Sequence, residues 1–347
     1  MRILILGNNY STKVFFDLFS KNKDDIVFCD NPNCTNAVFF NGFTDIIEFC
    51  SANIIDFVLI IDNNYIIQGL GELLSSKNIS VFSPDKDAAL ITTSKFEAKK
   101  FAYKNRIKTP KFTIAQNPKQ VLDYIKASTV VAIKPDIATA LEGTKFIETY
   151  SYGLKIINEL FQGGNERVLL EDYIEGKSFT IWTLTDGYSA KIIGVNATYG
   201  DSISLFNPDF INEETKEKII NSIVNPTINA LVEKNNEYIG VLGFDCIIDR
   251  YSNIYLLSYK NFFDDHSVNY FPEAYDFSWI DVFNSIVLGD VFLKYKFNPQ
   301  TLYALTIKQG DSIDFITAKT KNALEKKLIE LDYELDEFYE AKKKWKN

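Results

Sequence analysis

Over the first 95 residues, short apolar strands alternate with helical stretches, and this alternation restricts the fold more than any other feature. Arg2–Leu6, Ile26–Cys29 and Phe57–Ile61 read as buried strands, with Ser80–Phe82 as a fourth. Thr12–Ser20 and Ile66–Ser75 carry apolar residues at helical spacing. Parallel neighbours need a crossover long enough to hold a helix, so this rhythm predicts an α/β, doubly wound sheet. The first strand runs into Gly7-Asn8-Asn9-Tyr10-Ser11. A dinucleotide site needs glycines at three spaced positions there, and only the first is present.

Further along, Ser94–Asn105 reads as a helix that stops ahead of Thr109-Pro110, because the residue before proline leaves the helical region. Gln120–Ala127 reads as a helix, Val130–Pro135 and Lys145–Ile147 as strands, and Gly153–Phe161 as a helix. Arg167–Glu171 and Phe179–Leu184 read as strands, and Asn212–Lys234 as one long helix. A hairpin is expected from Gly240–Asp249 and Ile254–Tyr259, and a charged helix at Ala323–Lys344.

Composition removes several function classes. A length of 347 residues predicts about two domains, and 46% hydrophobic with 24% charged residues fits an ordinary soluble protein. The net charge of −9 argues against a nucleic-acid partner, which would be held by clustered Lys and Arg. With one histidine, His266, a Ser-His-Asp triad or a multi-histidine metal site has nothing else to draw on. The cysteines, Cys29, Cys34, Cys50 and Cys246, form no CxxC pair and are expected to be buried thiols. No apolar run is long enough to span a membrane and no leader is expected, which together predict a cytoplasmic protein.

Glu175-Gly176-Lys177-Ser178 nearly completes a phosphate loop, but Glu171 stands where the leading glycine belongs, and the segment joins two strands. A more specific pattern is an ordered triplet. Thr93-Ser94-Lys95 opens a helix, Ala132-Ile133-Lys134-Pro135-Asp136 closes a strand, and Leu169-Leu170-Glu171-Asp172-Tyr173-Ile174-Glu175-Gly176 follows. Together these segments resemble the nucleotide site of the ATP-grasp superfamily. The resemblance implies that Lys95 and Lys134 contact nucleotide phosphates and that the strand from Glu171 through Asp172 and Tyr173 to Ile174 meets the adenine edge. ATP is then the implied cofactor, and an adenine nucleotide with an unidentified small molecule the implied partners.

The likeness is closest to the phosphoribosylamine–glycine ligase (glycinamide ribonucleotide synthetase) family. It rests on Ile79–Pro84 before the Ser-Lys helix, Ile107-Lys108-Thr109-Pro110, the Asp186-Gly187 turn, Ile220–Leu231 and Tyr238–Leu242. It implies a Rossmann-like domain at 1–93, an ATP-grasp domain at 94–292 with a lid at about 115–187, and a reduced carboxy-terminal region at 293–347. The family joins 5-phosphoribosylamine to glycine at the expense of ATP, giving ADP, phosphate and glycinamide ribonucleotide.

The departures bear on function. The glycine-rich phosphate loop of the family is here Ile137–Lys145, with Leu141 and Glu142 where small or basic residues are expected and only Gly143 retained. The phosphoribosylamine loop Gly-Gly-Arg-Glu-His is here Asn8-Asn9-Tyr10-Ser11-Thr12, and the Gly-Pro-Glu-Ala segment is Asp62-Asn63-Asn64-Tyr65. After Val195-Asn196-Ala197 the glycine-rich substrate segment is largely missing, and the chain is expected to run straight to the long helix. The family binds magnesium through a Glu-x-Asn pattern on the last hairpin, using hard oxygen ligands. Here Ser258 and Lys260 take those two places, leaving Asp245 as a candidate ligand. An ammonium about 4 Å from a dication, at an effective dielectric near 20, repels it by about 8 kcal/mol.

The expectation is therefore a nucleotide-binding ATP-grasp protein with degraded metal and substrate motifs, catalytic residues unassigned and magnesium in question. Two alternatives stay open: an active ligase with another substrate pair, its metal on Asp245 with Asp264 or Asp265, and a non-catalytic scaffold using the cleft or the aromatic-rich 259–279 stretch. The cluster Asp264-Asp265-His266 reads first as a turn.

Overall fold

The structure is a computed structural model, describing residues 1–127, 130–136, 144–164, 166–199, 203–297, 303–309 and 312–330. Its amino-terminal sheet is parallel, in the order β2-β1-β3-β4, with β1 at Arg2–Leu6, β2 at Ile26–Cys29, β3 at Phe57–Ile60 and β4 at Ser80–Phe82. The apolar runs were enough to define it: β1 and β3 are almost wholly buried, as strands covered on both faces must be. The stretch Ile66–Ser75 is two helices, Asn63–Ile67 and Leu70–Ser75, broken at Gly69, whose φ of 79° belongs to the left-handed region that glycine tolerates. A further helix at Phe43–Ala52 was not anticipated.

A four-stranded sheet follows in the order β5-β8-β6-β7, from Phe112–Ala115 (β5), Val131–Pro135 (β6), Lys145–Ile147 (β7) and Val168–Asp172 (β8). The helices Pro118–Ala127 and Tyr150–Gln162 cover it, closing a core around Val121, Ile133, Ile157 and Leu170. The third sheet has seven strands, ordered β13-β12-β9-β10-β11-β14-β15. They are Gly176–Gly187 (β9), Ala190–Tyr199 (β10), Ile203–Phe206 (β11), Tyr238–Asp249 (β12), Ile254–Lys260 (β13), Tyr303–Gln309 (β14) and Ser312–Ala318 (β15). The expected 115–187 lid thus takes in most of the small sheet together with β9, which belongs to the large one.

Two expectations need correction. The chain does not pass directly from Ala197 to the long helix, since β11 turns back along β10 through pairs such as Ala197↔Leu205. The 212–234 helix is not uniformly α: a π turn at Ile220–Val224 separates Glu213–Ile219 from Asn225–Val232. Pro226 cannot donate to the carbonyl one turn back, and the ladder widens just ahead of it. The expected carboxy-terminal helix is present as Lys321–Glu330, the rest of it lying outside the described residues. So does the 137–143 loop with Leu141, Glu142 and Gly143.

An aromatic cluster holds the amino-terminal sheet to the large one. Phe15 and Phe82 pack on Phe283, and Phe263 lies between Trp182, Phe271 and Trp279. On the other side of the large sheet, helix Lys95–Lys104 and the 213–232 helices bury Phe101, Ile223, Ile228 and Leu231 against Phe244, Leu256 and Tyr259. All four cysteines are buried thiols, as expected. Among the described residues no helix is long and apolar enough to cross a membrane.

Candidate functional site

Two clusters of three charges stand out, one where the small sheet meets the large one and one on the β12–β13 hairpin. The first is built on β8. Glu171 is 1% exposed, and its two carboxylate oxygens each receive a different ammonium, Lys99 on Oε1 and Lys134 on Oε2. Lys134 comes from β6, paired with β8 through Lys134↔Leu169. Lys99 comes from helix Lys95–Lys104 and also donates to Thr109 Oγ1 at 2.6 Å and to the Leu256 carbonyl at 3.2 Å. The triad therefore joins the small sheet to the helix and strand β13 of the larger layer. Burial alone would push the Glu171 carboxyl up, but the Lys99 and Lys134 ammoniums more than offset it and hold it below the usual carboxylate range. Burial pushes the Lys99 ammonium down to about 8 in spite of Glu171. Two cations on one anion leave a net positive charge in a dry place, where an unpaired charge is costly.

Local sequence explains how Lys95 and Lys134 share one end of this region. Ser94 caps the helix by accepting from the Glu97 amide at 3.2 Å, and the Ser-x-x-Glu spacing is that of a capping box. Asp136, just after β6, accepts from Ser94 Oγ at 2.8 Å and from the Phe96 amide at 2.9 Å. A carboxylate at the positive end of the helix ties the strand carrying Lys134 to the turn carrying Lys95. Beyond Glu171, Asp172 accepts from Tyr124 Oη at 2.7 Å, and the Tyr173 amide donates to the Val130 carbonyl at 3.2 Å. The Tyr173 ring is half exposed and stands edge-on to Phe146. Lys145, at the end of the loop stretch, pairs with Glu159 at 3.1 Å.

The second cluster has the opposite balance. Lys260 Nζ lies 3.2 Å from Asp245 Oδ1 and 2.7 Å from Asp264 Oδ2. Strand register explains it: Asp245 pairs with Ser258 and Gly243 with Lys260, so both side chains face the same side of the hairpin. Every carboxylate oxygen is already accepting. Thr180 Oγ1 donates to Asp245 Oδ1 and Ser258 Oγ to Asp245 Oδ2, each at 2.7 Å. The Ser267 amide donates to Asp264 Oδ1 at 3.0 Å. The Lys260 ammonium also sits 5.6 Å from the centre of the Trp182 ring, which packs on Gly243. A Cβ at Gly243 would lie 2.7 Å from that ring, so the glycine is what lets Trp182 pack there. Burial would lower Lys260, but Asp245 and Asp264 hold it well above its ordinary value. Burial would raise Asp264, and Lys260 more than offsets that.

The sequence-derived residues thus fall into two groups, Lys134 with Glu171 in one and Asp245, Ser258 and Lys260 in the other. The Asp264-Asp265-His266 turn does not act as a unit: Asp264 turns to Lys260, while buried His266 places Nδ1 2.9 Å from Thr306 Oγ1. Sequence reasoning missed Lys99, Thr180, Trp182 and Ser267. Lys99 left a trace, because it shares the buried face of its helix with Phe96, Ala98 and Ala102, where a lysine is out of place without a counter-charge.

The family described as phosphoribosylglycinamide synthetase, ATP-grasp (A) domain, matches residues 93–268, just over half of the chain. The chain belongs to this ATP-grasp family. Phosphoribosylamine–glycine ligase of Clostridium acetobutylicum is 24% identical over 96% of this chain and 77% of its own length. The crystal structure of the Thermotoga maritima phosphoribosylamine–glycine ligase superimposes with a TM-score of 0.75 at 18% identity, covering 95% of this chain and 96% of that one. The biotin carboxylase domain of Hydrogenobacter thermophilus 2-oxoglutarate carboxylase, solved with MgADP and bicarbonate, gives a TM-score of 0.69 at 12% identity over 88% of this chain and 74% of that one. The fold is accordingly a Rossmann-like domain followed by an ATP-grasp domain.

Magnesium in ATP-grasp enzymes needs a shell of free oxygen ligands. On the hairpin of this member an ammonium stands between the two carboxylates, and all four carboxylate oxygens have a donor. Among the described residues no group of three His, Cys, Asp or Glu side chains converges as a metal site.

Proposed function

We propose that the chain binds an adenine nucleotide at the junction of the two sheets and has lost the ligase reaction of its relatives. Lys95 and Lys134 face the phosphates, and the main chain from Asp172 to Ile174 faces the purine edge. The observation that carries this reading is the uncompensated positive charge of the Lys99–Glu171–Lys134 triad beside that strand. Glu171 acts as a positioning residue, holding the Lys134 ammonium at the end of β6 without neutralising the pair. Because the Tyr173 amide is committed to Val130, the Ile174 amide is the main-chain donor we assign to a ring nitrogen of the purine.

Loss of the ligase reaction is supported from two directions. On the last hairpin, Ser258 and Lys260 stand in the metal positions. At the carboxyl end of β1, beside the 8–12 loop that resembles the phosphoribosylamine loop, the Gly7 amide donates to Asp30 Oδ1 at 2.5 Å and Tyr65 Oη to Asp30 Oδ2 at 2.8 Å. A carboxylate beside that loop disfavours a phosphorylated substrate.

Calorimetric titration with ATP and ADP tests the binding. Lys134→Ala should weaken it by about tenfold to a hundredfold, the equivalent of about 1.5–3 kcal/mol for a charge-assisted hydrogen bond. No heat with any adenine nucleotide would refute the binding. Glycinamide ribonucleotide formation at an ordinary enzymatic rate would refute the loss of chemistry.

A further inference from the structure

We propose that this ATP-grasp cleft carries its own cation, the Lys260 ammonium clamped by Asp245 and Asp264, and takes up its nucleotide without a divalent ion. The proposal rests on the nucleotide-binding reading above and adds to it the identity of the cation that fills the last hairpin. Three observations support it. The ammonium is within 3.2 Å of both carboxylates, in a place from which a single ion reaches both. Thr180, Ser258 and Ser267 donate to the carboxylate oxygens and so hold both carboxylates in place around the ammonium. The Trp182 ring, packed on Gly243, has its centre 5.6 Å from the ammonium, and such a face attracts a cation and gives a divalent ion no ligand atom.

A tethered ammonium differs from a metal ion in what it can do. Its single charge is taken up by Asp245 and Asp264, and it cannot bridge two phosphate oxygens in a fixed octahedral shell. The class of ligand that fits is a nucleoside di- or triphosphate bound as its free anion, held and not consumed. Taking away the ammonium should uncover an acidic pair able to accept a metal.

Two measurements test this, one of them independent of the nucleotide. In the first, ADP is titrated into the intact protein with Mg²⁺ and again with EDTA; the expected affinities agree within about twofold. In the second, Mn²⁺ uptake without nucleotide is followed by loss of the free-ion electron paramagnetic resonance signal. The unaltered protein should bind none tightly, whereas Lys260→Ala should gain one site, at least about tenfold tighter. If Lys260→Ala does not fold, the double variant Ser258→Glu/Lys260→Asn, which restores the family pattern, serves in its place and should gain the same site. A tenfold or greater loss of ADP affinity in EDTA overturns the proposal while leaving nucleotide binding intact. Equal Mn²⁺ uptake by the unaltered protein and the variants overturns it as well. If no nucleotide binds under either condition, the nucleotide reading fails and the Mn²⁺ result alone decides whether Lys260 displaces a metal.

Discussion

The two charge clusters are near mirror images, and they differ in the sign of the charge left over and in how deeply it is buried. Around Glu171, two ammoniums share one carboxylate, and all three groups lie within a dry seam between sheets. Around Lys260, two carboxylates share one ammonium whose side chain is 31% exposed. The first carries surplus positive charge and suits an anion; the second is satisfied by its own lysine. Three charges within hydrogen-bonding reach therefore say little until their sum and burial are known.

The contrast breaks most visibly through stability. Glu171→Ala would leave Lys99 and Lys134 buried with no counter-charge, and should cost about 3–5 kcal/mol in urea unfolding. Lys260→Ala leaves two carboxylates that water can reach, and should cost about 1 kcal/mol. Similar losses for both would mean that burial does not distinguish the clusters.

The next largest effect is on affinity against pH. The Lys99 ammonium is held down to about 8 in the folded protein from an ordinary 10.5. Between those values the folded chain binds fewer protons than the unfolded one, so this group's contribution to stability rises with pH. The triad meanwhile loses its surplus charge, so ADP affinity should weaken severalfold as pH rises from about 7 to about 9. Lys99→Met should remove that dependence; an unchanged slope in the variant would assign the titration to another group.

The smallest effect belongs to Asp264. Its carboxyl lies below the ordinary range, so its pairing stabilises the fold above the unfolded value, about 3.9, and is lost as pH falls through the folded one. Asp264→Asn should flatten the acid limb of the stability profile by less than about 1 kcal/mol. A steeper limb in the variant would contradict the pairing.

Much of this was legible before any coordinates. The apolar runs of β1 and β3, the helix opened by Ser94 and the ordered placing of Lys95, Lys134 and Glu171 are local signals. Lys99 was not legible, because its burial depends on a carboxylate on β8, remote in sequence and brought close only by the packing of the small sheet on the helix. Asp264 looked like a turn residue for a related reason: its partner is close in the chain, but the two meet only because β13 ends there. Strands β10, β11, β14 and β15 were also missed. β10, β11, β14 and β15 pair antiparallel with sequence neighbours, and only the β11–β14 pairing joins distant segments.

The most direct test is a crystal structure grown with ADP and Mn²⁺, with anomalous differences recorded at the manganese edge. Lys260 should remain between Asp245 and Asp264, with the phosphates toward Lys134 and no manganese peak at the hairpin. A strong peak between the two carboxylates, with the ammonium swung away, would contradict the account.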